Sequence, residues 1–188
     1  MGFRMTRTHL GATLAMCAAA TLAMSASPAS AKISDGYVRG YDTYVGDWGD
    51  EGTISTAAYS QNNAVCLWQT ILWAEGANES DGTNFDGTDI DGIFGGNTYG
   101  ATKRLQVSWG LASSYDKADG MVGPNTFGRA DNQLVKTGGS TARGETVEFV
   151  YNGSVHDFAV ERDSEGRYRF REGNDTWRLA AYGYRSCS

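Results

Sequence analysis

The stretch Asp91-Gly92-Ile93-Phe94-Gly95-Gly96-Asn97-Thr98-Tyr99-Gly100 is answered by Asp119-Gly120-Met121-Val122-Gly123-Pro124-Asn125-Thr126-Phe127-Gly128, in step and 28 positions later (119 − 91). Asp, Gly, Gly, Asn, Thr and Gly coincide, which marks a duplicated structural unit. In each copy Asp-Gly is a tight turn, with Gly supplying backbone freedom at Gly92, Gly95, Gly120 and Gly123. The apolar pair plugs a core, and Asn and Thr satisfy free N–H groups at a helix start. Thr98, Ala101, Leu105 and Trp109 then fall at i, i+3, i+7 and i+11, so the first copy launches an amphipathic helix. Pro124, suited to a first helical position, launches a shorter one toward Leu134.

Upstream, Val65, Trp68 and Leu72 have helical spacing, with Asn62 or Asn63 as cap and Gly76 as stop, predicting a helix of about three turns. Downstream of Gly139 the period changes to that of strands. "TVEFVY" and "VHDFAVE" flank Asn152-Gly153, a preferred two-residue hairpin turn, and "RYRFRE" and "TWRLAAYGY" follow. The expected fold class is α+β: a three-helix bundle over residues 62–135, then a four-stranded antiparallel meander over 140–188. Residues 32–61, rich in Gly, Asp and Tyr, read as an extension or linker.

Arg4 and Arg7 precede an apolar run from Leu10 to Met24, and Ala29-Ser30-Ala31 offers the small residues of a cleavage site. Residues 1–31 therefore read as a secretory signal, and the run is too short to span a bilayer. Without it the chain carries 14 basic and 22 acidic residues, a formal −8, which makes nucleic acid a poor partner. Cys17 leaves with the signal, and two thiols reaching an oxidising compartment usually pair, so Cys66 and Cys187 are expected to form a disulfide; the alternative is two buried free thiols.

Val65, Trp68, Gln69, Leu72 and Gly76, then Asp91, Gly92, Phe94, Gly95, Thr98 and Ala101, then Leu105, Gln106, Gly110 and Leu111, then Asp119, Gly120, Val122, Gly123, Pro124 and Thr126, taken in order, resemble the peptidoglycan-binding domain 1 family over about residues 60–135. The resemblance implies a secreted three-helix module that attaches to the bacterial cell wall without cutting it. The insertion "ANESDGTNFDGTDI", Ala130 and Trp68 depart from the family's usual pattern.

The expected partner is peptidoglycan, through its glycan or its stem peptide. Candidate contacts are Asn97 and Tyr99 in the first copy, Asn125 and Phe127 in the second, and Arg104. The rings serve either as ligand platforms or as core, and the amides either as contacts or as caps. Catalysis finds little support: His156 stands alone once the signal is removed, and Cys66 sits in a helix with an expected partner. Glu75, Glu79, Asp81 and Asp86 offer carboxylates for a muramidase-like reading, but solvated loop acids explain them better. Asp81, Asp86, Asp89 and Asp91 do not follow a calcium-loop spacing. No metal or cofactor is expected. Arg167, Arg169 and Arg171 share one strand face, suited to cross-strand pairing or to a protein partner at the meander.

Overall fold

The Asn62 side chain accepts a hydrogen bond from the Val65 N–H at 2.9 Å, and this cap starts helix α1, Asn63–Ala74. All of its residues except Trp73 are buried, so α1 lies inside the protein, with its polar members Asn63, Gln69 and Thr70 each hydrogen-bonded. Both of its ends are closed by distant parts of the chain. The N–H groups of Asn63 and Ala64 donate to the carbonyls of Tyr184 and Ala181 at 2.9 and 3.0 Å, and the Ala74 carbonyl accepts from Val155 and His156 at 2.9 and 3.0 Å. The sequence is described by a computed structural model over residues 1–2, 33–172 and 176–187. The expected signal segment, apart from its first two residues, lies outside the described residues.

Helix α2 spans Gly96–Ser108 and helix α3 spans Pro124–Asp131. Five antiparallel strands follow in meander order: β1 Leu134–Gly139, β2 Val147–Asn152, β3 Asp157–Arg162, β4 Tyr168–Glu172 and β5 Thr176–Leu179. Phe149, Tyr151, Phe158, Val160, Tyr168 and Phe170 alternate onto the inner face and join α1 and α2 in one continuous apolar cluster.

The expected three-helix bundle is not what forms. Because α1 is enclosed on nearly every side, it is a core shared by helices and sheet rather than one wall of a bundle. The helices are short, and α3, only eight residues long, packs on the 3-10 turn Asp47–Asp50. There Trp48 stands edge-on to Phe127 and Tyr168, at centroid distances of 6.4 and 5.3 Å. The meander has five strands, not four, since Leu134–Gly139 pairs with β2 through a register shift between Lys136 and Gly138. The Asn152-Gly153 turn is also longer than expected. Asn152 pairs with Asp157, leaving a four-residue loop, because Val155 and His156 are drawn in to cap α1.

Residues 33–61 contribute Val38, Trp48 and Ile54 to the core and bridge to the rest at Tyr37–Ala181, Arg39–Arg167, Ile54–Val122 and Gln61–Ile93. Cys66 and Cys187 are paired across 121 residues of sequence, their Cα atoms 6.4 Å apart. Among the described residues, no helix is long and apolar enough to cross a membrane.

Candidate functional site

Each Asp-Gly turn is gripped by a glutamine from the preceding helix. Gln69 Nε2 lies 2.9 Å from Asp91 Oδ1, 3.1 Å from the Ile93 carbonyl and 3.1 Å from Thr98 Oγ1, while its Oε1 accepts from the Gly92 N–H at 2.6 Å. Gln106 repeats the set: 2.7 Å to Asp119 Oδ1, 2.9 Å to the Met121 carbonyl, 3.1 Å to Thr126 Oγ1, and 3.0 Å from the Gly120 N–H. Asp91 and Asp119 each accept a further bond from the N–H two residues on, at 2.8 and 2.9 Å. Gly92 and Gly120 hold φ of 71° and 66°, a region a side chain resists. The duplicated unit is thus a buried amide clamping a turn to a helix, and it satisfies polar groups that would otherwise be costly to bury.

The copies differ in what covers them. An atom added at Gly92 would lie 2.6 Å from Cys187 Sγ, 2.7 Å from Cys66 Sγ and 2.9 Å from Arg185. Arg185 also donates to the Asp91 carbonyl at 2.9 Å, so the first turn is sealed beneath the disulfide and the C-terminal tail. At Gly120 the equivalent neighbours are Tyr99 and Lys103 of α2. Cys66 precedes Gln69 by three positions, as Lys103 precedes Gln106. The same place on the unit holds a covalent seal in one copy and a cation in the other.

The open second turn edges two depressions. One, about 290 Å³, is lined by Gln106, Leu111, Ala112, Lys117, Ala118, Asp119, Asn125 and Thr126. The other, about 200 Å³, adds Thr53, Met121, Gly123 and Pro124, and the two share Asp119, Asn125 and Thr126. Leu111 and Met121 are each 42% exposed here. The side chains of Lys117 and Asn125 are exposed and meet no hydrogen-bonding or ionic partner among the described residues.

Asn125, alone of the residues expected to touch ligand, lines this groove. Phe127 is wholly buried between Trp48 and Trp68. Tyr99 is half-buried under Gly120, with the Lys103 ammonium 5.5 Å from its ring centroid. Arg104 reaches back to the carbonyls of Glu79 and Ser80 at 2.8 and 3.1 Å, tying down the insertion, and Asn97 is exposed at the first turn. Leu111, Ala112, Lys117, Met121 and Pro124 went unsingled as contacts in the sequence. Lys117, a cation two residues before an Asp-Gly turn, was their visible signal.

The carboxylates considered for catalysis have structural partners. Glu75 accepts from Tyr151 Oη at 2.9 Å and Ser154 Oγ at 2.7 Å. Asp81 and Asp86 are lowered by hydrogen bonds from the side chains and N–H groups of Thr83 and Thr88. Glu79 is pushed up to about 7, first by desolvation and then by a hydrogen bond shared with Asp89. Among the described residues no group of three or more His, Cys, Asp or Glu is placed to hold a metal ion. His156 stacks on Trp73 with centroids 4.3 Å apart. Of the strand arginines, Arg167 pairs with Asp163 at 2.8 Å and Arg169 with Glu161 at 2.5 Å, while Arg169 and Arg171 flank the Trp177 ring at 5.1 and 5.7 Å.

Comparison with family models, curated proteins and solved structures finds no match to this chain.

Proposed function

We propose that this chain is a secreted, non-catalytic protein that attaches to the bacterial cell wall through the groove at its second Asp-Gly turn. The reading is supported by the asymmetry of the two copies. Identical amide clamps hold both turns, yet one is sealed and the other presents unpartnered Lys117 and Asn125 beside exposed Leu111 and Met121. A concave surface that mixes a few polar groups with apolar ones is what a ligand site requires. The resemblance of residues 60–135 to a wall-binding family supplies the ligand, and a formal −8 leaves nucleic acid a poor alternative.

Co-sedimentation of the chain, without residues 1–31, with purified peptidoglycan sacculi tests this. Recovery in the pellet is expected. Recovery wholly in the supernatant would overturn the reading and favour an adaptor, whose contact face would be the outer sheet surface where Trp177, 37% exposed, sits between Arg169 and Arg171.

A further inference from the structure

Glycan rings are held by stacking on aromatic side chains, whose flat apolar faces match the C–H face of a sugar. Neither depression at the second turn offers one: the lining is Gln106, Leu111, Ala112, Lys117, Ala118, Asp119, Asn125 and Thr126 on one side, and Thr53, Met121, Gly123 and Pro124 on the other. The ring best placed by sequence, Phe127, is 0% exposed, and Tyr99 is turned beneath Gly120. What the groove does present is an unpartnered ammonium, an unpartnered amide, a carboxylate with Oδ1 already engaged by Gln106 and Met121, and short aliphatic walls.

Those are the complements of a short peptide: the ammonium for a carboxylate, the amide for a backbone C=O and N–H, and the aliphatic walls for small side chains. We propose that the groove recognises the stem peptide of the wall and not its glycan, with a peptide carboxylate on Lys117, peptide backbone on Asn125 and alanine-sized side chains against Leu111, Ala112 and Met121. This rests on the wall-binding reading. Lys117 is exposed, so its pairing is screened by salt and the interaction weakens as ionic strength rises.

The test is competition. Amidase digestion of sacculi yields two soluble pools, peptide-free glycan strands and free stem peptides, and each is added to the chain bound on intact sacculi. Stem peptides are expected to release it and glycan strands to leave it bound. Lys117→Glu should weaken sacculus binding by roughly tenfold or more, whereas Lys136→Glu, the same charge change on exposed β1, should not; unchanged melting temperatures for both keep the comparison free of unfolding. Release by glycan strands, or full binding by Lys117→Glu, overturns peptide recognition while leaving wall attachment in place. Failure of the native chain to pellet with intact sacculi overturns both.

Discussion

Replacing Gln106 with Leu keeps the volume and removes the polar grip on the second turn. The Nε2 group has three acceptors within 3.1 Å but only two hydrogens, so it donates at most two full bonds at a time, and Oε1 accepts one from Gly120. Three bonds at about 1 kcal/mol each put the cost near 3 kcal/mol, and the buried Gly120 N–H left without an acceptor pushes it upward. For a chain of this size that lowers the melting temperature by roughly 6 to 12 °C. Gln69→Leu breaks the matching set and should cost about the same in thermal or urea unfolding. The two variants part company in sacculus binding, measured well below both melting points. Gln106→Leu frees the turn that shapes the groove and should bind poorly, whereas Gln69→Leu frees a turn still pinned by the disulfide and Arg185 and should bind normally. Equal loss of binding in both, or destabilisation below about 1 kcal/mol in either, would refute the reasoning.

Reducing the Cys66–Cys187 bond opens a link across 121 residues, and the chain-entropy picture gives about 4 to 5 kcal/mol, so calorimetry with reductant should show a fall of roughly 8 to 20 °C. Trp48→Ala should cost about 3 to 5 kcal/mol in urea unfolding, because a fully buried ring between Phe127 and Tyr168 is replaced by a cavity. Glu51 accepts from the Arg39 N–H and from Tyr182 Oη, both at 2.7 Å, and burial pushes it up to about 8 from 4.5. The folded chain therefore holds a proton that the unfolded chain has released between those values, and stability should fall as pH rises through that window, by at most about 1.4 kcal/mol per pH unit from this group. Asp131, pushed up to about 7 chiefly by burial, acts in the same direction, and Glu51→Gln should flatten the urea midpoint against pH; a midpoint that climbs from pH 5 to pH 8 would contradict both.

Local structure was legible where backbone geometry and side-chain chemistry agree over a few residues. The Asn62 cap, the Asp-Gly turns and the helices at Asn63–Ala74, Gly96–Ser108 and Pro124–Asp131 were set by Asn62, Gly92, Gly120 and Pro124, whose effects reach one helical turn; the expected Asn and Thr caps of α2 and α3 do not form, since Gly95 and Gly123 stand at those positions and Thr98 and Thr126 turn to Gln69 and Gln106. The paired cysteines followed from their number. How the helices meet was not legible, because it is decided by what closes α1 at its ends, and those groups come from Ala181, Tyr184, Val155 and His156, far along the chain. Strand β1 was missed because Lys136, Thr137, Gly138 and Gly139 carry loop chemistry, and only pairing with β2 makes them a strand. Asn125, read from the repeat, lines the groove. For the aromatic positions beside it the sequence left platform or core open, and the fold decides: Tyr99 and Phe127 occupy equivalent places in the copies and are spent on supporting the second turn and filling the core.

A duplicated unit need not duplicate its use. Both turns are held by the same four glutamine contacts and each is bridged to the segment before α1, at Gln61–Ile93 and Ile54–Val122, yet each copy takes on a different neighbour. In the first copy that neighbour is the chain itself: Cys187 and Arg185 close over Gly92, and the insertion, drawn in through Arg104, lies within the separation of 22 between Gln69 and Asp91. In the second copy only 13 positions separate Gln106 from Asp119, no tail arrives, and the lining stays exposed around an unpartnered ammonium and amide. The glutamine clamp is common to both copies, and exposure comes from what the rest of the chain leaves uncovered. A turn that is rigid before its ligand arrives loses little entropy on binding, which is why the proposal assigns a wall peptide to the open copy and not to a flexible loop elsewhere.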